Sequence, residues 1–319
     1  MKKNLLFLSL ILFCIQNLYS QNANEPASFN SLQAPSSPGF ILLDQTPSAI
    51  ERPTTSQGFA ISALNLFQGG ALEISPFWLK LHPNLVAGDL RQNNGLYARS
   101  LSISMATVNL DSGKYITAGL RSRLFQKYST IQSANITSKL NQIVAELSNG
   151  LNTNWENAQK LKNEYADLML KPTFSLDLAL AVAGNSKTMT ANTVDISRAA
   201  AWLAFNWRPK GDDFYVTLLT RYLNNVNFEA QSKNQQIGDF GCRINYDVNL
   251  FCISAEYLQR MNFTTANYAT NRLAIVTSYQ VMENLYFTGT FGKNYSGVNN
   301  LITMIGINLG HSNNKIKAF

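Results

Sequence analysis

The stretch "DFGCRINYDVNLFCISAEY" (Asp239 to Tyr257) decides how the rest of the chain is read. It holds two runs of alternating residues around a turn placed at Asp247 and Val248. In the first, Phe240, Cys242, Ile244 and Tyr246 alternate with Asp239, Gly241, Arg243 and Asn245. In the second, Phe251, Ile253, Ala255 and Tyr257 alternate with Cys252, Ser254 and Glu256. Side chains of a strand point to opposite faces in turn, so each run has an apolar face and a polar face. A soluble sheet turns the apolar face inward, and a membrane barrel turns it outward.

Composition favours the barrel. Only 14% of the 319 residues are charged, against about 25% in an average soluble domain. Beyond the N-terminus no run is apolar for the ~18 residues a membrane helix needs. Low charge without such a helix suits a barrel, in which only alternate residues face lipid. Lys2 and Lys3 precede the apolar run Leu5 to Ile15 and then "QNLYSQ", which reads as a signal peptide over residues 1–20 cut after Ser20. Cys14 leaves with it. Cys242 and Cys252 remain, on opposite faces of the sheet, which opposes a disulfide.

Residues 21–56 contain Pro26, Pro35, Pro38, Pro47 and Pro53 and read as irregular. The preferred reading is a linker packed on one end of the domain, and the alternative is a plug folded into a lumen. From Gln57 the two-residue period takes over. Strands are expected near 57–67, 71–80, 95–109, 113–125, 172–184, 196–207, 213–223, 236–246, 249–261, 270–281, 284–293 and 300–310. Most exceed the ~5–6 residues of soluble strands and match the ~9–11 that cross a bilayer. The expected fold is an all-β antiparallel transmembrane barrel of about 12 strands over residues 57–310. A helical hairpin is inserted at 130–170, and residues 311–319 form a C-terminal tail. Trp78, Trp207, Tyr222 and Tyr279 fall toward strand ends, as interfacial girdles do.

The polar face carries Arg121, Arg123, Asp177, Arg198, Arg221, Asp239, Arg243, Glu256, Arg260 and Arg272 among small residues. A wet soluble face would carry lysine and glutamate. Arginine among acids and small residues suits a confined polar interior, where its planar fork makes several hydrogen bonds. These ten residues are the candidate lumen network. With a two-residue turn at 247–248, position 239 pairs with 256 and position 243 with 252. Asp239 and Glu256 then lie side by side, with Arg243 and Arg260 near, as a salt-bridge network bracing the wall or as a solute-binding constriction.

Counting back from a periplasmic C-terminus, the turns near Met282–Asn284, Asp247–Val248 and Arg208–Asp213 are short and periplasmic. Longer connections near 294–299, 262–269, 224–235 and 185–195 face outward. The same parity puts the helical hairpin in the periplasm. Its first helix carries Ile136, Leu140, Ile143, Val144 and Leu147. Its second starts at Thr153 with Glu156 as a capping box and carries Ala158, Leu161, Tyr165 and Leu168. The plain reading is packing on the barrel rim, and the functional one is docking of a periplasmic protein partner.

The segment "SPGFILLDQTPSAIERPTTSQGFAISALN" (Ser37 to Asn65), followed by "ALEISPFWL" (Ala71 to Leu79), resembles the opening of an uncharacterised family of outer-membrane β-barrel proteins of Bacteroidota. The signal peptide ending in Ser-Gln is similar to those of that phylum. The resemblance implies outer-membrane location and a barrel fold. It implies no substrate, cofactor or catalytic residue.

Enzyme chemistry finds no support. The two histidines, His82 and His311, lie in connections, and neither has a partner suited to a general base. No Cys/His spacing suits a metal, and no cofactor is expected. The net charge of +7 belongs to a wall facing lipid and lumen rather than to a nucleic-acid surface. Two functions remain. The first is a passive channel for small solutes, biased toward anions because Arg121, Arg123, Arg198, Arg221, Arg243, Arg260 and Arg272 outnumber Asp177, Asp239 and Glu256. The second is a structural or docking barrel with a filled lumen, serving a periplasmic or envelope complex. Barrels of ~12 strands lie between packed small barrels and open ~16–18-strand porins, so size leaves both standing. The channel is placed slightly ahead.

Overall fold

The computed structural model describes residues 37–52, 58–64, 69–80, 82, 84–110, 113–149, 154–186, 194–209, 213–228, 232–248, 250–264, 269–282, 285–295 and 301–311. The expected signal peptide, residues 21–36, the tail beyond 311 and the side chain of His311 lie outside them.

Twelve strands pair antiparallel, each with its sequence neighbour, and β1 pairs with β12 to close the barrel. They are β1 (Phe59–Leu64), β2 (Gly69–Ile74), β3 (Ser102–Leu110), β4 (Gly113–Lys127), β5 (Phe174–Ser186), β6 (Asp195–Trp207), β7 (Phe214–Phe228), β8 (Ser232–Val248), β9 (Phe251–Asn262), β10 (Ala269–Met282), β11 (Leu285–Lys293) and β12 (Leu301–His311). Closure pairs every edge, which is the condition for a sheet to sit in lipid. The expected apolar sets all point out. Ile275, in mid-strand, is 55% exposed, while its neighbours Ala274 and Val276 are 1% exposed toward the inside. Charges on the outward face fall at strand ends, as at Lys114, Lys127, Asp195 and Lys293.

Four local readings change. The strand expected near 95–109 starts only at Ser102, because Gly95, at φ +70°, opens a short helix over Leu96–Ser100. Strand β2 stops at Ile74, because Pro76 cannot extend a ladder and instead starts a 3-10 turn over Pro76–Leu79. Trp78 is therefore not a girdle residue. It is buried, and its Nε1–H donates to Arg99 O at 2.7 Å. The loop expected at 224–235 is mostly paired strand, with Asn225 opposite Gln235 and Phe228 opposite Ser232.

One end of the barrel gathers the start of β1, the finish of β12, the connections 75–101 and 128–173, and the short turns after β6, β8 and β10. The hairpin consists of helices Thr130–Ser148 and Trp155–Leu170. The first is capped by Ser129, whose side chain accepts from Gln132 N–H. The second is capped by Asn154, not Thr153, and Asn154 Oδ1 accepts from Asn157 N–H at 3.0 Å. Ile136, Ile143, Tyr165, Ala166 and Met169 pack with Trp78, Ala87 and Leu90 into a second apolar core over the rim. Val144 stands outside that stripe, exposed. His82 stacks on Phe77 and its Nε2 bonds Phe77 O at 2.6 Å. It packs against the ring rather than lying loose in solvent.

Candidate functional site: the occupied lumen

The inside of the barrel holds the chain's own N-terminal segment. Residues 37–52 lie within the wall, and Phe40, Ile41, Leu42, Leu43, Ala49 and Ile50 are buried in one cluster with inward-facing wall residues. The linker reading is thereby corrected, because this segment packs inside the wall and not on its end. Burying side chains of this size stabilises by about 1.5–3 kcal/mol each relative to exposure.

The segment has two halves, and the wall differs opposite each. Helix α1 (Pro38–Leu42) is closed by backbone bonds from Phe40 and Ile41 N–H to Ser37 O and from Leu43 N–H to Phe40 O. It lies against β3, β4, β5 and β6, whose inner face is small and apolar: Ala106, Ala179, Ala181, Ala183 and Ala200. Approach is closest at Gly119 of β4, where a Cβ would stand 2.7 Å from Pro38 Cβ and 2.8 Å from Ser104 Oγ. The irregular half, 43–52, leaves backbone groups unpaired. A buried carbonyl needs a donor, and here the wall presents arginines.

The helix ends on a Schellman turn: Asp44 N–H donates to Ile41 O and Gln45 N–H to Phe40 O. Asp44 has φ +54°. Its carboxylate meets Arg198 Nη1 at 3.0 Å, Arg221 Nη2 at 3.1 Å and the Arg260 fork at 2.9 and 3.0 Å. Arg221 and Arg198 also donate to Ile41 O and Leu42 O, the carbonyls at the negative end of the helix. Asp239 braces two of these cations, meeting Arg221 Nη2 at 2.5 Å and Arg260 Nε at 2.8 Å.

Further down the wall, Arg272 joins Glu256 at 3.0 Å and donates to Thr46 O and Pro47 O. Thr290 also donates to Pro47 O. Glu256 accepts from Ser48 Oγ at 2.9 Å and Ala49 N–H at 3.1 Å. Arg243 donates to Ser48 Oγ, Ile50 O and Ser254 Oγ. Arg52 reaches Cys252, whose thiol is free, as is that of the half-buried, outward Cys242. The contacts at 260, 256 and 252, taken in turn by Asp44, Ser48 and Arg52, show the segment running antiparallel to β9, toward the terminus-bearing end. At that end Arg121 pairs with Glu73 at 2.5 Å and Arg123 with Asp177 at 2.9 Å, and Gln126 donates to Leu90 O of the rim layer.

All ten candidate residues thus face the lumen, but the Asp239–Glu256 pair does not exist. The ladder puts Asp239 opposite Arg260 and Arg243 opposite Glu256. Val248 pairs with Phe251, so the turn lies two residues later than expected and every partner moves by four. An even shift keeps each face, which is why the inward set survived the error. Asp247 looked like a turn residue, but it is buried, in the field of Arg52. The sequence reading missed Asp44, Glu51, Arg52, Glu73, Arg208 and Asp247. Glu73 had a signal, since Ala71 and Glu73 alternate with Leu72 and Ile74. Adding these residues narrows the positive surplus on which the anion bias was argued.

No family model matches the chain, and no curated protein does. Among solved structures it is similar to the KdgM porin, at 10% identity and TM-score 0.41 over 79% of this chain and 96% of that one. It is similar to the NanC porin at 8% and 0.38, over 80% and 97%. It is also similar to the outer-membrane protein Omp33 of Acinetobacter baumannii at 8% and 0.34, over 80% and 98%. The architecture rests on its own closed ladder and apolar exterior. The chain is a closed β-barrel with an apolar, lipid-facing exterior. Among the described residues no group of His, Cys, Asp or Glu is arranged to hold a metal.

Proposed function

We propose that this protein is a sealed outer-membrane barrel, serving as a structural or docking unit of the envelope. The supporting observation is the state of the wall arginines: Arg198, Arg221, Arg243 and Arg272 are 0–2% exposed, and their terminal nitrogens bond residues 41–50, Asp239, Ser254 and Asn294. A solute path needs wet guanidiniums, so the occupied lumen moves the weight from a passive channel to a filled barrel. The hairpin at 130–170, folded over the rim, is the surface proposed for a periplasmic protein partner.

A passive path for small anions remains as a second reading. One observation favours it: a single carboxylate, Asp44, is held by three wall arginines that an anion could take over if the segment left. Planar-bilayer recording of the refolded protein separates the two. A silent bilayer supports the sealed barrel. A steady current biased toward anions would replace it with the channel.

A further inference from the structure

Asp44 stands where a helix C-terminus calls for glycine. The position after the cap takes the left-handed conformation, which glycine adopts freely and other residues adopt under strain. At φ +54° an aspartate is tolerated but not the relaxed choice. What the position gains is a carboxylate in a prepared setting. Arg198 lies over the Phe228 ring at 4.4 Å and Arg260 over the Tyr295 ring at 3.7 Å, so stacking orients both guanidinium planes. Asp239 and the Ile41 carbonyl orient Arg221. Arg260 gives Asp44 both terminal nitrogens as a fork, the geometry that matches a carboxylate. Three cations against Asp239 alone would leave the site cationic without Asp44.

We infer that Arg198, Arg221 and Arg260 form a carboxylate-binding site that the chain fills with its own Asp44, and that the site takes a free small carboxylate when that side chain is removed. This rests on the seating of residues 37–52 in the lumen and names the ligand class of that seat: a monoanionic carboxylate.

The substitution Asp44→Gly removes the carboxylate while easing the backbone. The full-length variant is refolded and titrated with urea in detergent micelles, with folded fraction read by heat-modifiable gel mobility. It should unfold at lower urea than the native protein. Sodium formate at about 0.1 M should raise its folded-to-unfolded ratio by about tenfold if the site binds formate near ~10 mM. Sodium chloride at equal ionic strength should not, and adding Arg260→Gln should abolish the gain. Native protein should show no formate effect. An equal gain with chloride, a gain that survives the loss of Arg260, or no gain would overturn the inference, as would failure of the variant to refold in any of these salts. A silent native bilayer with no formate effect on Asp44→Gly would overturn the inference and leave the sealed barrel standing. A conducting native protein with a formate effect on Asp44→Gly would do the reverse.

Discussion

Arg243 of β8 lies directly opposite Glu256 of β9, and Ser48 of the luminal segment bonds to both. The wall and the segment are thus one hydrogen-bonded structure at this level. Removing either member of the cross-strand pair also disturbs the segment.

Replacing Arg243 by Met strips donors from Ile50 O, Ser48 and Ser254. Glu256 keeps Arg272, Ser48 and Ala49, and Asp239 keeps Arg221 and Arg260. Neither acid is left without a partner, so the cost comes from buried groups that lose a bond, about 2–4 kcal/mol. Urea titration in vesicles should give nearly the same loss at pH 7 and pH 5. A loss confined to neutral pH would show that the acids depend on Arg243 alone.

The lipid face gives an independent check. Ile275 sits in mid-strand on the outside, opposite Phe291 on one side and Ala255 on the other. Ile275→Arg should destabilise the barrel by about 2–4 kcal/mol, measured by unfolding in vesicles. An unchanged midpoint would mean the wall is inverted.

The faces, strand number and arginine network were legible in the sequence because each rests on a local period of two. The register of β8 and β9 was not, because it depends on which two residues make the turn, and Asp247 resembled a turn residue while serving as a lumen acid. The seat of residues 37–52 was hidden for a different reason. A proline-rich segment has no period of its own, and its fit is written on distant strands. The inward alanines 179, 181 and 183 of β5 face a helix more than a hundred residues earlier in the chain. An alanine-rich inner wall across from an arginine-rich one was the available signal, since the first suits a helix and the second suits open carbonyls.

Gly119→Val tests that fit. A side chain there meets Pro38 and Ser104, so the helix must move, at about 1–3 kcal/mol. Hydrogen exchange should rise in residues 39–43 while the β7–β8 ladder stays protected. Uniform protection would mean that the helix does not lean on β4.

At the rim, Glu146 holds the hairpin turn by accepting from Asn154 N–H at 2.9 Å and Asn157 Nδ2 at 2.8 Å. The Asn154 N–H bond first, then the Asn157 side chain, hold its carboxyl pKa below the ordinary glutamate value. A lowered carboxylate contributes stability above its unfolded value and loses it as pH falls through the folded one. Exchange at the Asn154 amide, corrected for intrinsic rate, should therefore speed up below about pH 4.5. Glu146→Gln should remove that pH dependence, and a variant that retained it would assign the effect to another group.

The central claim is that residues 37–52 occupy the lumen, and a cross-link between Gly39 and Thr117 tests it most directly. A Cβ built on Gly39 stands 3.2 Å from Thr117 Cβ, close to the separation of about 3.5–4.5 Å in disulfides. The measurement is disulfide formation in Gly39→Cys/Thr117→Cys, in a background with Cys242 and Cys252 replaced by Ser, under mild oxidation of the folded barrel. The account expects near-complete bond formation with heat-modifiable mobility retained. Two free thiols that both react with a membrane-impermeant maleimide in the folded protein would contradict it.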